Sequence, residues 1–81
     1  MSNETILFTK PECQKCDYVK SKIPEGLDMT ILDMTTIEGM AHAAYYELLE
    51  KHTPILVHND EPIEGSIKIK NKMDEIAKIG K

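Results

Sequence analysis

The stretch Ile6-Leu7-Phe8-Thr9-Lys10-Pro11-Glu12-Cys13-Gln14-Lys15-Cys16 runs from an apolar tetrapeptide, through a proline break, into the only two cysteines of the chain. Residues 6–9 read as a short strand buried on both faces. Lys10-Pro11-Glu12 interrupts it. From Cys13 to about Ile23 the spacing predicts a helix, with Cys16, Val19 and Ile23 along one face and Pro24-Glu25-Gly26 ending it. Residues 29–33 form a second short apolar run. Strand, ten-residue helix and strand make a βαβ unit, which is expected to be parallel and right-handed.

Beyond this unit, residues 34–39 read as a loop and residues 40–51 as a helix whose apolar stripe is Ala41, Ala44, Tyr45, Leu48 and Leu49. Of the adjacent Tyr45 and Tyr46, one is expected in the core and the other at its rim. Thr53-Pro54 stops the helix, residues 55–58 form a third strand, and Asn59-Asp60-Glu61 turns into a fourth that begins with Pro62. A proline there suits an edge strand, where a missing N–H harms no ladder. Gly65-Ser66 introduces the last helix, with Ser66 as its expected N-cap and Ile69, Met73 and Ile76 as its buried stripe. The order is βαβαββα within one α/β domain spanning residues 1–81.

Composition narrows the function. Ten lysines, no arginine and fourteen acids give a net charge of −4, so a general nucleic-acid binder, which gains affinity from phosphate contacts, is not expected. No window approaches the roughly 18 apolar residues of a membrane span. Met1-Ser2-Asn3-Glu4 lacks the basic and apolar regions of a signal peptide, and a cytoplasmic location is expected. Charge is unevenly placed. Residues 25–64 hold one lysine and nine acids, 1 − 9 = −8, whereas residues 65–81 hold five lysines and two acids, 5 − 2 = +3. The plain reading of both is solvated helix faces.

Cys13 and Cys16 make a poor structural staple, because closing a loop of about four residues contributes only roughly 2 kcal/mol. A zinc site wants two more nearby ligands, and His42, His52 and His58 follow no such pattern. What remains is a dithiol that cycles, or two reduced thiols with no task. Thiolate, not thiol, attacks a disulfide. A helix start, with unpaired N–H groups and the positive end of the dipole, favours the anion on Cys13. Lys10 and Lys15 stand close by in sequence, although long side chains there also reach water readily. Cys16, one turn on, is expected to face the sheet and stay sheltered. Cys13 then attacks and Cys16 resolves. If the fold is as drawn, Thr53-Pro54 lies beside this helix start, and a cis bond would turn the Thr53 backbone toward an extended peptide or glutathione. The five methionines are scattered, and no histidine is placed as an acid or base.

Phe8-Thr9-Lys10-Pro11-Glu12-Cys13-Gln14-Lys15-Cys16 resembles the opening of a glutaredoxin: strand, Tyr/Phe-Ser/Thr-Lys-x-x-Cys-x-x-Cys, helix. Thr53-Pro54 is similar to the family's cis-proline element, and Ile63-Glu64-Gly65-Ser66 to its glycine turn before the last helix. Nearly the whole chain takes part, in order. The resemblance implies a thioredoxin/glutaredoxin-like, four-stranded mixed sheet with three helices, the first two strands parallel and the third antiparallel to the first. It implies a monomeric redox carrier that reduces protein disulfides through Cys13 and Cys16, supported by Lys10, Thr53 and Pro54, with Gly65 and Ser66 facing glutathione or substrate. No resident cofactor or metal is implied. The carrier would be reduced by an upstream reductase or a low-molecular-weight thiol such as glutathione. Leu7 stands where thioredoxins have a buried Asp, and there is no Trp before Cys13, which points to the glutaredoxin branch or to the glutaredoxin-like proteins that thioredoxin reductase-type enzymes reduce. Ile67 and Lys68 stand where glutathione-using members have two acids. Two further readings are an iron–sulfur module, as in some glutaredoxins, and a redox-inert adaptor.

Overall fold

Alternation along two short strands divides the molecule into layers. In β1 (Thr5–Thr9), Ile6 and Phe8 join one buried cluster and Leu7 the other; in β3 (Ile55–His58), Ile55 and Val57 join the first and Leu56 the second. Successive side chains of a strand point to opposite faces, so a sheet with β1 and β3 at its centre must be covered twice. The computed structural model describes residues 5–79, so the start Met1-Ser2-Asn3-Glu4 lies outside the described residues. Its remaining elements are α1 (Gln14–Ser21), β2 (Thr30–Asp33), α2 (Ile37–Tyr45), β4 (Glu61–Glu64) and α3 (Ser66–Ile79). Ala43 of α2 packs in the first cluster; Val19 of α1 and Ile69 and Met73 of α3 pack in the second.

The sheet order is β2-β1-β3-β4, with β1 parallel to β2, β3 antiparallel to β1 and β4 antiparallel to β3. This is the mixed four-stranded sheet that the resemblance implies. β4 is an edge, and Pro62 sits in it opposite Val57. His58 pairs with Glu61 across a two-residue loop in which Asn59 and Asp60 both have positive φ, 52° and 68°. Such loops match the twist of a hairpin, and Asn and Asp tolerate the conformation better than other side chains.

The second helix departs from the sequence reading. Residues 34–39 are not all loop, because α2 begins at Ile37, and it ends at Tyr45 rather than Lys51. Its start is well capped. Asp33 Oδ1 accepts from the Thr35 amide at 2.7 Å and the Thr35 hydroxyl at 2.6 Å, and the Thr36 hydroxyl accepts from the Gly39 amide at 3.0 Å. The Thr35 hydroxyl and amide, by bonding to the carboxylate, lower the pKa of Asp33 from its ordinary value. A Cβ at Gly39 would collide with the Asp33 carbonyl, and only glycine lets α2 pass so close to the end of β2. At the other end Glu47 has φ 61°, Glu47 N–H donates to Ala44 O at 3.0 Å and Leu48 N–H to Ala43 O at 2.8 Å. These are the two bonds of a Schellman stop, sealed by Leu48 and Ala43 in one cluster.

The buried face of α2 is accordingly Gly39 and Ala43, not the expected stripe. Ala41, Ala44, Tyr45 and Leu49 are exposed, and Leu48 enters the core from beyond the helix. Tyr46 packs against the core while Tyr45 does not. At α3 the expected N-cap shifts by one residue: Ser66 is already helical, and Gly65 precedes it at φ 97° with its carbonyl accepting from Ile69 N–H at 2.9 Å. The expected stripe of α3 holds, with Ile69 and Met73 buried and Ile76 packed beside them.

Helix propensity alone makes Gly39→Ala stabilising by about 1 kcal/mol. The collision with Asp33 makes it destabilising instead, by about 1–3 kcal/mol, the range for overpacking. Urea unfolding of the two proteins distinguishes the signs.

Candidate active site

Hydrogen bonding at the start of α1 places the cysteine pair. Cys13 is the N-cap, with extended backbone at φ −116° and ψ 105°, and its Sγ accepts from the Cys16 amide at 3.1 Å. That amide is one of the donors a helix start leaves without a partner. Glu12, immediately before, is in the left-handed region at φ 57° and completes the turn out of β1. Cys16 and Val19 form the buried side of α1, so Cys16 is fully buried while Cys13 is only half-buried. The two sulfurs are joined as a disulfide. The pair therefore has one accessible and one sheltered member.

The third element of the site arrives through sheet register. Phe8 pairs with Ile55, so the end of β1 and the start of β3 lie side by side. Thr53 and Pro54 directly precede β3, with a cis peptide bond between them and Pro54 buried. The Thr53 hydroxyl donates to Cys13 Sγ at 3.6 Å, and the Thr53 carbonyl oxygen is 4.0 Å from that sulfur. The sequence points to Thr53 through its backbone and gives little sign of its hydroxyl. The one signal for the hydroxyl is the choice of Thr before Pro54.

Gly65 and Ser66 reach the same end of the sheet because Glu64 pairs with Ile55. Lys51 and Glu64, 3.9 Å apart, tie the segment before Thr53 to the end of β4. Lys10 and Lys15 are exposed and are not among the groups that touch the Cys13 sulfur. His58 belongs to the other end, where its Nδ1 lies 2.9 Å from the hydroxyl of the buried Thr5. Among the described residues no group of three or more His, Cys, Asp or Glu could hold a metal ion, and no helix is long and apolar enough to cross a membrane.

No known family profile matches the chain, and no curated protein matches it. Solved structures do. The thioredoxin-like protein BC3987 superposes with a TM-score of 0.68 over 86% of this chain and 99% of that one, at 19% identity. A mutant of that same protein superposes with a TM-score of 0.68 over 91% and 99%, at 17% identity. At this identity the likeness establishes the fold, which is thioredoxin-like.

Losing one hydrogen bond of ordinary strength costs about 1 kcal/mol, or a factor of about five in an equilibrium, and the 3.6 Å contact from Thr53 is assigned that value. Thr53→Val is therefore expected to slow iodoacetamide alkylation of Cys13 in the reduced protein by about threefold to tenfold at neutral pH. Rates followed by mass spectrometry test this, and an unchanged rate would remove Thr53 from the site.

Proposed function

We propose that this chain is a small thiol–disulfide oxidoreductase of glutaredoxin type that reduces disulfides in protein partners. The observation that carries this reading is the setting of Cys13: an accessible sulfur at a helix N-cap, facing the Cys16 amide and the Thr53 hydroxyl, with a buried second sulfur one turn away. Both donors bond more strongly to a thiolate than to a thiol, and the helix start adds a favourable potential. Reduced Cys13 is thereby favoured as the anion relative to free cysteine.

The exchange runs in two steps. The Cys13 thiolate attacks one sulfur of the client disulfide; the client S–S bond breaks, and its other sulfur leaves as thiolate and takes up a proton. Cys16, on losing its proton, attacks the Cys13 sulfur of the mixed disulfide. The Cys13–client bond breaks, and the second client thiolate departs. Two electrons pass to the client, and the pair ends as the Cys13–Cys16 disulfide, the form found here. An external dithiol or two monothiols return them. Thr53 presents its backbone next to the attacking sulfur, where an extended client segment can pair with it. Gly65 and Ser66, at the same end of the sheet, flank that position.

The glutaredoxin assignment rests on Phe8-Thr9-Lys10 leading into the cysteines and on Leu7, which is fully buried where thioredoxins have an acid. The Cys13–Cys16 disulfide favours exchange over an iron–sulfur module, since Cys16 competes for the sulfur a cluster would use. A monomeric carrier in a thiol-rich compartment such as the cytoplasm fits this chemistry.

With dithiothreitol as electron source, the wild-type protein is expected to accelerate insulin reduction well above background, and Cys13→Ser to abolish the acceleration. In a separate reaction without dithiothreitol, reduced Cys16→Ser is expected to accumulate a mixed disulfide with the client, which dithiothreitol added afterwards releases. Equal rates for wild type and Cys13→Ser would end the redox reading. Regeneration by glutathione with its reductase, by thioredoxin reductase or by a ferredoxin-linked enzyme identifies the electron donor.

A further inference from the structure

α2 is apolar on two faces. Gly39 and Ala43 are buried, while Ile37, Met40, Ala41, Ala44 and Tyr45 recur at i, i+3, i+4, i+7 and i+8 and are all exposed, Ile37 to 84% and Tyr45 to 77%. An apolar helical stripe ordinarily lies against something, and large exposed apolar patches mark contact surfaces. Tyr45 also has a ring contact within the fold. Its ring meets that of Tyr46 edge-on at 4.9 Å, Tyr46 meets Phe8 of the core edge-on at 6.5 Å, and the Tyr46 hydroxyl donates to Asp60 at 3.2 Å. A large aromatic with two side-chain torsions and one edge already against a neighbour loses little freedom on binding, which suits an interface anchor.

The rim of this face selects the occupant. Glu38 lies on α2, Glu47 and Glu50 follow it, and Asp60 stands beyond Tyr46; all four are exposed. The one lysine among residues 25–64, Lys51, is already paired with Glu64. A second copy docked face to face would set carboxylates against carboxylates, whereas a cationic surface meets opposite charge. We propose that the outer face of α2 docks a protein partner through an apolar surface flanked by Lys or Arg, with Tyr45 as the anchor. The surface does not use the cysteine pair and stands apart from the redox reading.

The probe is a thiol-free synthetic helical peptide with leucine at i, i+3, i+4 and i+7 and lysine elsewhere, titrated into the isotope-labelled full chain and followed by amide NMR shifts. Shifts are expected to concentrate in residues 36–50. The affinity is expected to fall roughly tenfold or more in Tyr45→Ala, to fall in Ile37→Ser, whose side chain is almost fully exposed, and to weaken as salt rises. The same peptide with glutamate for lysine is expected not to bind. Shifts centred elsewhere, equal binding of the glutamate peptide, variants that bind unchanged, or concentration-dependent dimerisation lost in Tyr45→Ala would each overturn the proposal.

Discussion

The bond from the Cys16 amide to the Cys13 sulfur is the contact on which the rest of the site depends. At a helix start the first amides need acceptors, and a Ser, Thr, Asp or Asn side chain ordinarily supplies one. Here a sulfur takes that place. One interaction therefore begins α1, fixes the orientation of Cys13 and bathes its sulfur in the field of the helix terminus. The spacing of the pair follows from the same geometry, since the residue whose amide reaches an N-cap side chain lies three positions on, and that residue is the second cysteine. Turning Cys16 inward, beside Val19, keeps one sulfur sheltered and leaves the other accessible.

The sheet supplies what the helix cannot. Thr53 is forty residues from Cys13, and only the antiparallel pairing of β1 with β3 brings it within hydrogen-bonding distance. β4 extends the same logic by placing Gly65 and Ser66 at that end. Register is enforced by the core. A slip of one residue in β3 would move Ile55 and Val57 into the layer of α1 and α3, and Leu56 into that of α2. Such a slip would bury the wrong set and also carry Thr53 away from the sulfur. Packing of the apolar tetrapeptides and placement of the chemistry are thus one constraint.

This coupling explains what is legible in the sequence. β1, β3 and the cysteine-bearing helix are strong local signals, because short apolar runs, a proline break and a 3.6 period each act within ten residues. The strand order and the position of Thr53-Pro54 beside Cys13 are legible through the resemblance, since pairing partners leave no local mark. The bounds and buried face of α2 escape the sequence because its two decisive residues act through tertiary contact. Gly39 permits a close pass over Asp33, and Glu47 adopts a conformation more common for glycine in order to turn Leu48 into the core. Neither residue advertises these roles by type. Ala41, Ala44 and Tyr45 then look like core, because apolar periodicity says that a face is to be covered and does not say by what.

That ambiguity has physical content. α2 is buried on one side only, and among the described residues nothing covers the other side. Polar residues there would keep the helix soluble at little cost, since surface substitutions away from special contacts rarely change stability by more than about 0.5 kcal/mol. Ile37, Met40 and Tyr45 do not serve the fold through their exposed surface. The cysteine end and the α2 face also differ in kind. At the first, charge and hydrogen bonds converge on a single sulfur; at the second, apolar area is framed by acids. The first can serve chemistry at one atom and the second contact over an area, so neither needs the other's residues.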